Sequence, residues 1–338
     1  MNTKLDVCIV GAGAVGGFIA ARLAAAGAAN VSAIARGATL AALREHGWRL
    51  DQDGKVTSVR ATATDDARAL GRQDLIVVAV KAQGLPAVAP AIAAMLGGQT
   101  IVLPAMNGVP WWFCRNVPAI GDAPLASVDP GGSIAAAIPL RHVLGCVVHA
   151  STASPEPGLV RHVRGQGLII GEPAGGKSAR AARVAEVLSR AGFDVTVSAD
   201  IRYDIWYKLW GNLTMNPVSA LTGASSDRVL ADPLVREFCV AAMREAAAIG
   251  ERIGSRITET PQDRQEVARK LGAFKTSMLQ DVEAGRMIEL DGIVGAVAEI
   301  GRRLMLPTPN IDALLGLTRL FARVKGLYPD SPSLLSSR

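Results

Sequence analysis

The sequence predicts an α/β first half, built on a doubly wound and mostly parallel sheet, followed by an all-α second half. Three observations carry this reading. A glycine-rich turn, Gly11-Ala12-Gly13-Ala14-Val15-Gly16, lies between an apolar run and a stretch of small residues with helical character. Further apolar runs alternate with helical or loop stretches over the first half of the chain. Beyond about residue 199 the apolar residues recur with the period of helices, broken by prolines and glycines.

Taken in order, residues 5–10 (LDVCIV) read as a buried strand, 14–26 as a helix and 31–36 (VSAIAR) as a second strand, which makes a βαβ unit. The runs at 75–80 (LIVVAV), 100–103 (TIVL) and 145–149 (GCVVH) continue the sheet. Helices are expected over 203–220, 232–253, 262–284, 288–305 and 310–325, separated by Pro217, the segment 254–261 and the segment 307–309. The expected division is 1–199 as a dinucleotide-binding domain, 200–327 as a helical substrate and catalytic domain, and 328–338 as a loose tail rich in Ser and Pro. No internal repeat has a fixed period.

Composition narrows the function classes. With 338 residues and 49% hydrophobic content the chain buries a large core, and it is not disordered. Cys8, Cys114, Cys146 and Cys239 are far apart in sequence and form no CxxC or zinc-ligand spacing, so they read as buried thiols of a reducing, cytoplasmic compartment. No cluster of His, Cys and carboxylates has metal spacing, and no metal is expected. A net charge of +6 suits anionic small molecules, and the clustered basic blocks of a nucleic-acid binder do not occur. Lys4 and the apolar stretch from Val7 imitate a secretory signal, but the glycines of the turn would weaken such a helix. No later run reaches ~18 uninterrupted apolar residues, so no membrane partner is expected.

The glycines permit a tight turn and close approach of a pyrophosphate to a helix N-terminus, because both flanking elements are present. The residues from Gly11 to Gly16 are therefore read as the cofactor-binding turn of a Rossmann domain. At the end of the second strand, where an NAD enzyme offers Asp or Glu to the ribose hydroxyls, this chain has Arg36. A guanidinium there pairs with a 2′-phosphate, so NADP is the expected cofactor. Lys81 follows the strand LIVVAV and reads either as a second charge near that phosphate or as a solvated lysine. Asn107-Gly108 follows the next strand, and the amide either forms a turn or bonds cofactor or substrate.

In the second half, Lys208, Asn212 and Asn216 recur at four-residue spacing within WYKLWGNLTMNP, so one stripe of an apolar helix carries polar groups. Asn is a poor helix former, and two in register with a lysine point to a polar ligand rather than a solvent edge.

At this point the chain resembles the ketopantoate reductase family, the 2-dehydropantoate 2-reductases. The likeness runs from GAGAVG through Arg36, VAVKAQ with Lys81, MNG with Asn107, the Lys208 helix, SMLQD from Ser277 and MIELDG with Glu289. The resemblance implies that Lys208 is the general acid, that Glu289 assists it, and that Asn212, Asn216 and Ser277 contact substrate. It places Asn107 where NADPH and substrate meet. It also implies a small anionic 2-oxo acid as substrate, ketopantoate reduced to pantoate for pantothenate and coenzyme A synthesis. Lysine suits the role, since a reference pKa of about 10.4 keeps it protonated near neutral pH and partial burial lowers that value.

Two departures bear on the substrate. The segment between Asn107 and Gly145 is longer than in shorter members and holds Trp111-Trp112, either a wall over substrate or a satellite core, and the turn Asp129-Pro-Gly-Gly132. Where some members place a further asparagine, this chain reads Ser225-Ser226-Asp227. His46, His142, His149 and His162 all lie in the first half without a recognisable Asp pairing, so no catalytic histidine is expected. Competing functions are a paralogue acting on another branched or larger 2-oxo acid, and a non-catalytic NADP-binding regulator. The helical half also offers an apolar face for a homodimer.

Overall fold

Apolar runs that are buried on both faces become the strands of a parallel sheet. The first is β1 (Leu5–Val10), of which only Asp6 is exposed. It is followed by α1 (Ala14–Ala25), β2 (Ala29–Ile34), α2 (Gly37–His46), β3 (Trp48–Gln52), β4 (Lys55–Val59) and β5 (Thr62–Thr64). Next come β6 (Leu75–Val78), α3 (Leu85–Ala94) and β7 (Ile101–Pro104). The structure, a computed structural model, describes residues 4–270 and 272–330. Strands β5-β2-β1-β6-β7, in that spatial order, form an all-parallel sheet. The order reverses at β1, so the crevice outside the carboxyl ends of β1 and β6 is the expected ligand position in such a sheet.

The chain continues through α4 (Ser133–Ala137), β8 (Gly145–Glu156), β9 (Leu159–Gly171), α5 (Ala179–Arg190), β10 (Asp194–Ser198) and α6 (Ile201–Thr222). Strands β10-β9-β3-β4 form a second, mixed sheet, with β8 antiparallel to β9. The run at 145–149 is thus the start of a long hairpin rather than a further strand of the first sheet. An isolated bridge between Val102 and Val143 joins the residues just before it to the first sheet. The sequence places β2 two residues too far along, because the small and polar residues Ala29 and Asn30 pair with Leu5 and Asp6 as readily as the apolar ones after them.

The remaining elements are helical: α7 (Ser226–Ala231), α8 (Pro233–Arg252), α9 (Pro261–Lys270), α10 (Ser277–Glu283), a π-helical turn over Asp291–Gly295, α11 (Ala296–Arg303) and α12 (Pro309–Val324). Local chemistry sets their ends. Asp232 caps α8 by accepting from the Leu234 and Val235 N–H groups at 3.0 Å, with Pro233 at the first helical position. The stretch 262–284 divides into α9 and α10 because Gly272 turns with φ +74 and Thr276 starts a new helix by capping the Leu279 N–H. Phe274, between them, exchanges backbone and hydroxyl hydrogen bonds with Ser226.

The chain divides into two compact units, Met1–Met106 with Ser133–Asp204, and Asn107–Gly132 with Ile205–Arg338. They are not the continuous blocks 1–199 and 200–327 that the sequence suggests, since Asn107–Gly132 joins the helices. Its apolar residues explain this. Trp111, Trp112 and Phe113 are buried, and Phe113 stacks on Trp206 of α6 at 5.8 Å between ring centroids. Glu299 of α11 accepts from the Ala126 and Ser127 N–H groups at 2.9 Å and from Ser127 Oγ at 2.6 Å. Arg303 donates to Glu299 and to the carbonyls of Ala123 and Pro124. The start of the expected tail is likewise anchored, with Tyr328 buried and its hydroxyl donating to Asp291 Oδ1 at 2.7 Å. Residues 331–338 lie outside the described residues.

Candidate active site

In the first unit the three glycines of the turn have separate steric duties. Gly11 has φ +97, and a Cβ on it would lie 2.7 Å from the Val80 nitrogen. A Cβ on Gly16 would lie 2.1 Å from the Gly11 carbonyl oxygen, so α1 approaches the strand as closely as it does only without one. Gly13 differs, since a Cβ there would meet nothing within 4 Å. The space over Gly13 is open, and it faces the start of α1, whose N-cap position has no side-chain cap and whose first turn has no acidic residue. Unfilled N–H groups and an open approach suit a pyrophosphate.

The end of β2 continues this edge. Arg36 is two residues past Ile34, is exposed, and makes no side-chain hydrogen bond or ion pair among the described residues. Gly37 follows it, and α2 has no acid in its first turn. Lys81, three residues past Val78, is half-buried at the same end of the sheet. Two exposed carboxylates, Asp65 and Asp66, follow β5 at the same edge.

In the second unit the polar stripe of α6 is real in space as well as in spacing. Lys208 is half-buried, and its Nζ donates to Asn107 Oδ1 at 3.0 Å. The turn that carries Asn107 is clamped in turn. Gly108 has φ +78, its hypothetical Cβ would be 2.4 Å from the Gly292 oxygen, and the Val109 N–H donates to that same oxygen at 2.7 Å. Gly292 belongs to the π-helical turn, a wide helical geometry often found at functional sites. Glu289, half-buried, lies three residues before Gly292. It is bracketed by the C-terminal segment, because the Ile288 N–H donates to the Leu327 carbonyl at 3.1 Å and Asp291 accepts from Tyr328. Burial pushes the Asp291 carboxyl up from its ordinary value, against the lowering effect of the Tyr328 hydroxyl and of Arg319 and Arg323.

Asn212 is half-buried one turn after Lys208. Asn216, one turn further, is 5% exposed, and its Nδ2 has no hydrogen-bond partner among the described residues. A buried amide left in that state costs about 1–3 kcal/mol unless something else meets it. Ser277 is the exposed first residue of α10, after its cap.

Comparison with known proteins fits this arrangement. The family model described as ketopantoate reductase PanE/ApbA matches residues 7–175, and its C-terminal counterpart matches residues 200–322. The chain belongs to the ketopantoate reductase family. These are oxidoreductases acting on CH–OH and C=O groups. The chain is 44% identical to a 2-dehydropantoate 2-reductase of Mesorhizobium japonicum, over 96% of this chain and 100% of that one. A solved protein of Ralstonia solanacearum MolK2, assigned provisionally as a ketopantoate reductase, is 54% identical with a TM-score of 0.92, covering 96% of this chain and 100% of that one. The PanE/ApbA family ketopantoate reductase of Ralstonia eutropha JMP134 is 26% identical with a TM-score of 0.80, covering 95% and 99%.

Within the ketopantoate reductase frame, the departures noted in the sequence are structural. Trp111 and Trp112 are 3% and 1% exposed and form a satellite core rather than a wall. Ser225 precedes α7 and bonds Asp227, while Ser226 holds Phe274 and the Gly272 carbonyl. His142 Nδ1 is 2.9 Å from the Thr100 carbonyl, and His162 stacks on Phe18 at 4.8 Å. All four cysteines are buried and in no disulfide, and burial pushes the Cys8 and Cys239 thiols up to about 11. Among the described residues no helix is long and apolar enough to cross a membrane, and no group of three or more His, Cys, Asp or Glu is placed to hold a metal. Sequence reasoning missed Arg264 of α9, whose guanidinium lies 5.2 Å from the Tyr207 ring centroid. The signal that marks it is Gly211, an isolated glycine in the middle of α6.

Proposed function

We propose that the chain reduces a small anionic 2-oxo acid, ketopantoate above others, to the 2-hydroxy acid with NADPH, and that Lys208 is the general acid. The observation that carries this reading is the Lys208 Nζ to Asn107 Oδ1 bond of 3.0 Å. It holds an ammonium at a fixed point on a helix whose neighbouring polar stripe has an unsatisfied amide at Asn216.

The residues of the first unit fit a phosphorylated dinucleotide, with the Gly11–Gly16 turn for the pyrophosphate and Arg36 and Lys81 for the 2′-phosphate. When bound, the dihydronicotinamide supplies a hydride to the C2 carbonyl carbon. Lys208 hydrogen-bonds the carbonyl oxygen, stabilises the negative charge that grows there, and gives it a proton. Asn107 fixes the direction of the ammonium, and Glu289 keeps the site's balance in favour of its charged form. Asn212, Asn216 and Ser277 add neutral hydrogen bonds that orient carboxylate and hydroxyl groups without competing charge. The pathway this serves is pantothenate synthesis, in the cytoplasm, and the protein works as a homodimer through its helical unit.

The test is NADPH oxidation with ketopantoate and with a panel of other 2-oxo acids, on the wild type and on Lys208→Ala. Turnover should fall 10²–10⁴-fold in the variant, the usual contribution of a positioned acid, while dinucleotide affinity survives. Oxidation that persists unchanged in Lys208→Ala would remove the lysine from its role, and a clear preference for another acid would replace ketopantoate.

A further inference from the structure

Arg264 is a feature of the second unit that packing alone does not explain. It sits on α9, and its guanidinium lies over the Tyr207 ring, 5.2 Å from the centroid. The same group lies flat against Gly211, where an added Cβ would be 3.0 Å from Nη2, 3.2 Å from Cζ and 3.2 Å from Nε. A side chain at position 211 would therefore shift it by a few tenths of an ångström. A glycine within a helix costs about 1 kcal/mol relative to alanine, and here that cost admits a cation. The guanidinium obtains little in return from the protein. Nε is shut off from solvent and has no hydrogen-bond partner, and no carboxylate pairs with the side chain among the described residues. Nearby acids are occupied elsewhere, Glu259 by the Tyr207 hydroxyl at 2.6 Å and Asp263 by Thr260.

Its position gives the seat a meaning. Gly211 is three residues after Lys208 and one before Asn212, and on a helix residues three apart are neighbours on one face. The guanidinium therefore lies on the flank of α6 next to the polar stripe, on the side nearer Lys208. A guanidinium whose Nε is shut off from solvent without a hydrogen-bond partner is unfavourable until a ligand compensates it.

Resting on the reductase reading, we infer that Arg264 binds the carboxylate of the 2-oxo acid substrate. In such an acid the carboxylate is bonded directly to the reacting carbonyl carbon, so its partner must stand beside the acid that serves the carbonyl oxygen. The planar fork of arginine matches a carboxylate with two parallel N–H bonds, and stacking on Tyr207 holds that fork in place. Gly211 is then a positioning residue that sets how deep the fork lies.

The experiment measures the KM for the 2-oxo acid, the KM for NADPH, kcat, and calorimetric affinity for the 2-hydroxy acid product. The proteins compared are the wild type, Arg264→Gln, Arg264→Lys, Gly211→Ala and Lys208→Ala. Arg264→Gln should raise the acid's KM and weaken product binding about 10- to 100-fold, the effect of one lost charge-assisted bond. NADPH KM should be unchanged and kcat should stay within about threefold. Arg264→Lys should recover only part of the loss. Gly211→Ala, which favours the helix and leaves Arg264 intact, should show the same selective rise. Lys208→Ala should lose kcat by orders of magnitude, whereas Arg264→Gln should keep kcat and raise only the acid's KM, so failure of the lysine's role and failure of this inference give different results. Unchanged acid KM and product affinity in Arg264→Gln would overturn the proposal, as would a rise in NADPH KM with the acid's KM unmoved, which would assign the guanidinium to a cofactor phosphate.

Discussion

At the scale of single residues, the site is built by what is left unsatisfied. Arg36 stands at the end of β2 without a carboxylate to hold it, Asn216 keeps a buried amide without a partner, and Arg264 keeps a shielded Nε. The two buried groups are unfavourable in the isolated protein and become favourable with a polar ligand present, while the exposed Arg36 is held by water until an anion replaces it. Arg36 gives the cleanest prediction, because its substitution changes a charge at the surface and leaves the core alone. Arg36→Asp should weaken NADPH binding about 10- to 100-fold, through loss of a charge-assisted bond and gain of repulsion, while NADH affinity changes little. Dissociation constants for both dinucleotides, measured by fluorescence titration at one ionic strength, check this. Equal weakening of the two would show that the residue does not read the 2′-phosphate.

At the scale of elements, legibility followed period and locality. The glycine turn, β1, β6 and α8 could be read because their signals are contiguous, an apolar run or a cap-and-proline start. The α6 stripe was legible for the same reason, since four-residue spacing and one helix suffice. What could not be read depends on distant partners. The Lys208–Asn107 bond joins residues 101 positions apart, the second sheet pairs β3 with β9 across more than a hundred residues, and the α9 to α10 break depends on Ser226. Arg264 lies on a helix dense in charged residues, where composition gives no reason to single it out. The π-helical turn was illegible too, and it has a consequence. Gly108 can touch Gly292 only because it has no Cβ, and Asn107 precedes it. Gly108→Ala must strain a backbone at φ +78 and displace the turn, moving the Asn107 amide away from the ammonium. A shift of about 1 Å at a catalytic group costs roughly 10² in rate. We expect kcat to fall by that order with NADPH affinity preserved, and steady-state kinetics within threefold of wild type would refute the coupling.

At the scale of the molecule, the chain leaves its first compact unit at Asn107 and returns at Ser133, and this excursion is fastened by one carboxylate. Burial alone would push the Glu299 carboxyl up, but bonds from the Ser127 hydroxyl and N–H, from the Ala126 N–H, and the nearby Arg303 outweigh it and hold the group below its usual value of 4.5. A carboxyl depressed in the folded state stabilises the fold above its unfolded pKa, and that contribution is lost as pH falls through the folded value. Glu299→Gln keeps the shape but turns an amide NH₂ toward donors, so it should lower the unfolding free energy at pH 7 by about 1–3 kcal/mol. The difference between variant and wild type should be constant from pH 7 down to about 4.5 and shrink below it, because both side chains are then becoming neutral. Tryptophan fluorescence is the right probe. Of the five tryptophans, Trp111, Trp112, Trp206 and Trp210 belong to the second unit and only Trp48 to the first. Denaturant unfolding followed by that emission therefore reports the unit to which the excursion is tied. A difference that persists undiminished at pH 3.5 would mean that the Glu299 charge contributes nothing, and that the excursion is held by its buried aromatic residues alone.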